Sequence, residues 1–384
     1  MHNKNINTKL IDGFVSARSF VAYAENNTHA ALVEYLLENT KCNIRHVILK
    51  RNVVFQSKSL VKVHPLPEIR STSPAHTWNT IQTFYYDRFK DYDLIYFQDQ
   101  SWESQAISGA TIQAGRKRCL IQDGFLSFDE KRSFGFKKWF WAFSRHIDFV
   151  HPKKPKPHLH FWKNRLLYNQ HFFGITRPDQ IWVFGESMKD RLIRQFGISA
   201  QKIYVTGPIL LPRNFPIKPA KKITIQSVEK LKILFLDQCF LQYGRISDRN
   251  WKRNYLPLIH HLTNYDLTIK IHPAQTKEAL KDIKHYAGDK ARILNTKRLE
   301  DQTLPKIDIA VTVSSTSFVY CLSKGIPVIF YDVQALDKMP VISHPLIKEV
   351  GTKADLDTAL SIYLANGKFN FKKGISIEYL INPG

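Results

Sequence analysis

Short apolar runs rich in β-branched residues alternate with amphipathic stretches along most of the chain, and this alternation restricts the fold to parallel α/β units. Ser19-Phe20-Val21-Ala22-Tyr23 reads as a strand, Thr28 to Leu37 has helical spacing, and His46-Val47-Ile48-Leu49 reads as the next strand. Strands follow at Leu94-Ile95-Tyr96-Phe97 and Arg118-Cys119-Leu120-Ile121. A helix from Ser187 to Gln195, closing at Gly197, lies between strands at Gln180–Phe184 and Lys202–Val205. From about Leu211 to Glu229 the pattern lapses into a Pro- and Lys-rich stretch with the composition of an interdomain linker. The alternation resumes with strands at Lys232–Leu236, Leu267–Ile271, Ile307–Val311 and Pro327–Phe330. The expectation is an α/β protein with Rossmann-like domains over residues 1–211 and 230–384, joined by a linker at 212–229 and facing a cleft. Ligands of open parallel sheets lie beyond the carboxyl ends of the strands, so the turns after these strands are where chemistry is sought.

A chain of 384 residues, 43% hydrophobic and 23% charged, is globular and long enough for two such domains. Lysine and arginine outnumber aspartate and glutamate by 56 to 33, a formal charge of +23 that concentrates anionic partners around the protein. Nucleic acid, anionic lipid and acidic polysaccharide all fit that charge. The four cysteines, Cys42, Cys119, Cys239 and Cys321, lie far apart with no CxxC or CxxH spacing, which points to buried free thiols rather than zinc. No leader-like opening and no run of ~20 apolar residues is visible, so a cytoplasmic protein is expected, with any membrane contact made from the surface.

Four segments carry candidate chemistry. In the first, a strand ends in Ser314-Ser315-Thr316-Ser317, a helix follows from Phe318 to Lys324, and Gly325-Ile326-Pro327 leads into another strand. Hydroxyls and free N–H groups at a helix start suit a nucleotide phosphate, although Ser and Thr cap helices in general. The second is Lys270-Ile271-His272-Pro273, a histidine at a strand end. It can donate to, or protonate, a phosphate oxygen of a departing nucleotide. Three further His-Pro pairs, at His64, His151 and His344, lack that context. The third is Gln122-Asp123-Gly124, where a carboxylate on a glycine turn can take the proton of an acceptor hydroxyl or can simply form the turn. The fourth is the cationic and aromatic stretch Lys137 to Arg165, whose Lys137, Lys138, Arg145, Lys153 and Lys154 are candidates for an anionic acceptor or a membrane surface. Gly207, in the Thr206-Gly207-Pro208 turn, is grouped with Ser314, Ser315, Thr316, His272 and Pro273 as a candidate nucleotide contact.

The order Asp-Gly, His-Pro, Ser-Ser/Thr at strand ends of two successive domains resembles the bacterial sialyltransferases, above all the capsular polysialyltransferases and lipooligosaccharide sialyltransferases. The segment Trp182 to Pro208 is also similar to the end of the N-terminal domain in two-domain glycosyltransferases of the GT-B fold. The resemblance implies an inverting transfer from CMP-sialic acid to an acidic surface glycan. It implies Asp123 as base, His272 on the cytidylate phosphate, and Ser314, Ser315 and Thr316 holding the same phosphate. It further implies an acceptor-binding N-terminal domain, a donor-binding C-terminal domain, no metal and no cofactor. The setting it implies is the inner face of the bacterial inner membrane, near capsule export machinery. The chain departs from the family at Gln122, where a second carboxylate is usual. Asp91-Tyr92-Asp93 has metal-motif spacing but precedes a strand and reads as a turn.

Two other readings are open. CMP-Kdo capsule transferases and polymerases acting on CDP-polyols carry similar segments, although the latter use a His-Gly turn where this chain has Asp123-Gly124. A non-catalytic nucleic-acid-binding protein would account for the charge, but no helix-turn-helix, RNP-type or zinc module is present to support it.

Overall fold

A computed structural model describes residues 18–57, 59–68, 74–99, 101–124, 173–174, 176–209, 230–241, 246–272, 275–294, 306–333, 336, 341–369, 374 and 376–381. The expected linker at 212–229 and the cationic stretch from Lys137 to Arg165 lie outside the described residues. The chain forms two compact units. One runs up to Arg213 and takes in the C-terminal segment from Glu378, and the other includes Asn214–Ile377.

The first unit is built on seven parallel strands: β1 (Phe20–Ala24), β2 (Ile44–Leu49), β3 (Lys62–Pro65), β4 (Asp93–Tyr96), β5 (Arg118–Ile121), β6 (Gln180–Val183) and β7 (Ile203–Val205). Their order in the sheet is β3-β2-β1-β4-β5-β6-β7. β1 is apolar at every position because both of its faces are covered, as a parallel sheet requires. Phe20, Ala22 and Ala24 pack with Leu32, Val33 and Leu36 of the helix Asn27–Asn39 on one side, and Val21 and Tyr23 are buried on the other. β3, at the edge, is largely exposed, and its His64 bonds to His46 on β2 at 3.1 Å.

The second unit repeats the plan with β8 (Lys232–Leu236), β9 (Asp266–Lys270), β10 (Arg292–Leu294), β11 (Ile309–Thr312), β12 (Val328–Tyr331) and β13 (Ile347–Val350). The strands lie parallel in the order β10-β9-β8-β11-β12-β13. Its core joins Ile233, Phe235, Ile269 and Val311 of the sheet to Trp251, Tyr255, Ile259, Ile283 and Leu360 of the helices. All four cysteines are free and buried.

In both sheets the strand order reverses beside the first strand, between β1 and β4 and between β8 and β11. Ligands of doubly wound sheets bind at such points, at the carboxyl ends. The opposite ends of the strands are tied by structural carboxylates. Asp93 accepts from the Lys117 N–H at 2.9 Å and pairs with Arg18 at 2.8 Å, and Asp308 accepts from the Lys232 N–H at 3.0 Å. Asp91 pairs with Arg116 at 3.3 Å, so both acids of the Asp91-Tyr92-Asp93 triplet are bound at the non-ligand edge. The chain's last helix, Ile377–Ile381, placed by sequence with the second domain, packs against the first unit at the start of the helix Glu186–Phe196. A Cβ on Gly185 would stand 2.3 Å from the Leu380 carbonyl oxygen, so only glycine admits this approach. The Tyr379 hydroxyl also donates to Asp190.

Candidate functional site

In the second unit the strands on either side of β8 end in hydroxyl residues after β11 and in a histidine after β9. After β11 the chain turns through Ser314, Ser315 and Thr316 into the helix Phe318–Ser323. That helix has six residues rather than the seven expected, and Ser317 caps it with a helical backbone and no side-chain bond. The turn is held from beneath by Thr312, whose Oγ1 donates to the Leu236 carbonyl at 3.2 Å and accepts the Ser315 N–H at 3.1 Å. Ser315 is buried and its Oγ accepts the Ser317 N–H at 3.3 Å, so its acceptor side is used locally while its O–H can still donate. Among the described residues the Ser314 and Thr316 hydroxyls make no hydrogen bond, and both residues are half-buried.

His272 stands just past the end of β9, the strand beside β8. Its backbone N–H donates to Asp237 at 3.2 Å, and its carbonyl accepts the Gln275 N–H at 3.0 Å. Burial, reinforced by the nearby Lys270 ammonium, pushes the imidazole down to about 4, so it is neutral at pH 7. A neutral imidazole offers a phosphate one N–H donor. Pro273 lies outside the described residues.

In the first unit the corresponding edge is lined by carboxylates. Glu25 follows β1 directly, receives hydrogen bonds from Gln98 and Ser101, and is raised by burial above the ordinary carboxyl range. Lys50 pairs with Glu103 at 2.8 Å. Asp99, beyond the tip of β4, is 0% exposed; it accepts from the Gly174 and Thr176 N–H groups at 3.1 and 2.9 Å and from the Thr176 hydroxyl at 2.9 Å. Burial raises it to about 6 despite these donors.

Asp123 lies two residues past β5, and its side chain is 26% exposed. Its Oδ2 meets Nε2 of His29 at 2.7 Å. The Glu25 N–H donates to Nδ1 of the same imidazole at 3.2 Å, so Nδ1 carries no proton and Nε2–H donates to Asp123. His29 is 0% exposed with both ring nitrogens engaged, which leaves Asp123 as the member of the pair able to meet a substrate. The Asp123 side chain is thus oriented by an imidazole that the Asn26 cap, accepting the His29 N–H at 2.9 Å, fixes at the start of its helix.

Gln122, where the resembled family has a carboxylate, is buried. Its carboxamide accepts the Phe184 N–H at 2.9 Å and donates to the Gly124 carbonyl at 2.8 Å. A carboxylate could make the first bond, toward β6, but not the second, so the amide is what closes the turn onto Gly124. Gly207 lies in the first unit beyond the tip of β7, with φ at +72°, and its carbonyl accepts the Thr206 hydroxyl at 3.2 Å. The structure therefore places Gly207 in a different unit from His272, Ser314, Ser315 and Thr316. Lys137, Lys138, Arg145, Lys153 and Lys154 lie outside the described residues.

Sequence reasoning did not pick out Glu25, His29 or Asp237. The signal available was position. Glu25-Asn26 and Asp237-Gln238 each follow the first strand of a doubly wound sheet, where the ligand edge begins.

No protein-family model matches the sequence, and the search of curated proteins returned no match. Solved structures do match. A glycosyltransferase from Rickettsia africae ESF-5 aligns with a TM-score of 0.50 at 12% identity, over 91% of this chain and 88% of that one. A UDP-GlcNAc 2-epimerase from Methanocaldococcus jannaschii gives 0.49 at 16% identity, over 95% and 97%. The lipopolysaccharide outer core galactosyltransferase WaaB in its apo form gives 0.49 at 13%, over 92% and 91%. At such identities the likeness is one of fold. With the two parallel-sheet units and their strand orders, the Rickettsia match defines a glycosyltransferase-like GT-B fold. Among the described residues no helix is long and apolar enough to cross a membrane.

Proposed function

We propose that the protein is an inverting glycosyltransferase that holds a nucleotide-sugar donor in its second unit and activates the acceptor hydroxyl from its first. The carrying observation is the chemical contrast between the two reversal points. The second offers an anion the hydroxyls of Ser314, Ser315 and Thr316 and the imidazole of His272. The first surrounds its edge with Glu25, Glu103 and Asp123, which repel a phosphate but can take a proton from a hydroxyl. In the reaction Asp123 accepts the acceptor's hydroxyl proton as the acceptor oxygen bonds to the anomeric carbon. The bond from that carbon to the phosphate oxygen breaks with inversion. The nucleotide leaves with the bonding electron pair, met by the His272 N–H and the serine hydroxyls.

The finer reading is a CMP-activated 2-keto sugar acid, sialic acid first, transferred to an acidic surface glycan. It rests on the order of Asp123, His272 and Ser314-Ser315 in the sequence. A cytidylate leaving group is a phosphate monoester, and neutral hydrogen-bond donors suit it. The net charge of +23 suits a polyanionic acceptor, and with it a peripheral place at an anionic membrane surface.

The test is thermal stabilisation by CMP, CDP, UDP and GDP, repeated on His272→Ala. A ligand present at about 100 times its dissociation constant adds roughly 2.7 kcal/mol, enough to move the melting temperature by roughly 3 °C when the whole chain unfolds together. CMP alone is expected to give that shift, and His272→Ala to lose most of it. Stabilisation by CDP or UDP in its place would overturn the CMP reading, and stabilisation by none would overturn the donor site.

A further inference from the structure

We propose that Asp237 is the positioning residue of the nucleotide site, its carboxylate clamping the turn from His272 to Gln275 and thereby fixing where the His272 imidazole stands. The inference rests on the donor site assigned to the second unit above, while the clamp itself is defined by geometry alone. Asp237 follows β8 directly and is 2% exposed. Its Oδ2 accepts the His272 N–H at 3.2 Å and Gln275 Nε2 at 2.9 Å, the two residues that bracket the turn. Its Oδ1 accepts the Tyr255 hydroxyl at 2.7 Å. The Gln275 N–H also donates to the His272 carbonyl at 3.0 Å. Asp237 therefore joins three separate pieces of chain, the tip of β8, the loop beyond β9 and the helix before it.

Two features separate this carboxylate from an ordinary structural acid. Among the described residues it forms no ion pair, so its charge is met only by neutral donors, and burial raises its carboxyl against their pull. A buried charge without a cation costs stability, and an amide would fill the same volume more cheaply. What the carboxylate supplies in return is two acceptor oxygens that between them hold donors from three segments of chain. The second feature is the support beneath it. Tyr255 ends a π-helical turn, Trp251–Tyr255, in which the two rings stack at 4.3 Å and 15°. Such a widened turn is a frequent mark of a functional site. Here it brings the Tyr255 hydroxyl to Asp237, and that hydroxyl also accepts the Gln238 N–H at 3.1 Å.

The experiment is a histidine NMR titration of the full chain, with the His272 signal assigned by its loss in His272→Ala, on wild type, Asp237→Ala, Asp237→Asn and Gln275→Ala. In wild type the His272 ring is expected to titrate at about 4, lowered by burial. Asp237→Ala is expected to free the turn, hydrate the ring and move its midpoint up by at least one pH unit, with CMP binding at least tenfold weaker. Asp237→Asn keeps one carbonyl oxygen for the two N–H donors and should recover most of both properties. Gln275→Ala removes only one tie and should move the midpoint in the same direction by less. It carries the test should Asp237→Ala not fold. An unmoved His272 midpoint in Asp237→Ala and Gln275→Ala would overturn the clamp. A moved midpoint in a protein whose wild type binds no nucleotide would leave the clamp standing and instead remove the donor-site reading.

Discussion

After β1 the chain places Glu25 and Asn26, and after β8, at the same point of a sheet wound in the same order, it places Asp237 and Gln238. The neighbouring strand tips then diverge. Beyond β4 comes the buried acid Asp99, and beyond β11 come Ser314 and Ser315. In the first unit the strand-tip acids stay close to the ligand edge, and a buried histidine presents another, Asp123, at its surface. In the second unit Asp237 is buried and holds three donors, the Tyr255 hydroxyl, the His272 N–H and the Gln275 amide, while the tip of β11 carries hydroxyls. One backbone plan thus carries chemically different side chains at corresponding strand tips. The function proposed above assigns proton removal to one unit and anion binding to the other, and each half of that proposal can be broken.

The largest effect is expected at Asp123. Asp123→Asn keeps a carbonyl oxygen for the His29 Nε2–H, so the turn should hold while the base is lost. Transfer from the donor chosen by the nucleotide screen should fall by roughly 100- to 10,000-fold, with CMP affinity unchanged within about twofold. A steady-state rate assay beside a binding titration reads both. Loss of nucleotide affinity in this variant would end the division of labour between the units.

The next prediction concerns Asp99, the acid that the second unit replaces with hydroxyls. Its folded value of about 6 lies above the ordinary ~3.9 of an aspartate, so the folded protein holds this proton more tightly than the unfolded chain does. The stability that the shift contributes is complete below about pH 4 and is lost as pH rises to about 6, at most about 3 kcal/mol. Chemical denaturation between pH 4 and 7 should therefore show wild type losing stability relative to Asp99→Asn as pH rises. A difference flat in pH would mean that the bonds from Gly174 and Thr176 keep the carboxylate ionised throughout.

Much of this arrangement was legible in the sequence, for physical reasons that differ by region. Fully buried strands such as FVAYA and KILFL announce themselves because a parallel sheet demands apolar residues on both faces. The edge strands β3, β10 and β13 went unread because half-exposed positions carry Lys, Arg, His and Glu, as in KVHP and IKEV. Asp123, His272 and the Ser314-Ser315 pair could be picked out as candidates because each follows a recognisable strand within a few residues. His29 could not, since its partner stands 94 positions away and only the sheet order brings β1 and β5 to the same edge. Asp237 was hidden for the same reason, its three donors coming from positions 255, 272 and 275. Gln122 was read as a departure from a family pattern, but the structure gives it a bond that a carboxylate cannot make.

The smallest effect, and the sharpest test of the second unit, is expected at Thr312. Its side chain is 0% exposed and its hydroxyl does two things at once, donating to the Leu236 carbonyl and accepting the Ser315 N–H. Thr312→Val keeps the shape and removes both bonds, which costs about 1–3 kcal/mol where a buried group is left without a partner. The cost should appear as a lower unfolding midpoint for the second unit alone, read by hydrogen exchange at β8 and β11 against β1 and β4. If the serine turn takes its shape from this hydroxyl, CMP affinity should fall by up to about tenfold as well, because Ser315 is released from the tip of β8. If stability falls while affinity holds, Ser314 and Thr316 bind the phosphate independently of the Thr312 anchor, and the turn is pre-formed by the backbone alone. Either result shows whether the anion binding proposed for this edge depends on the Thr312 anchor.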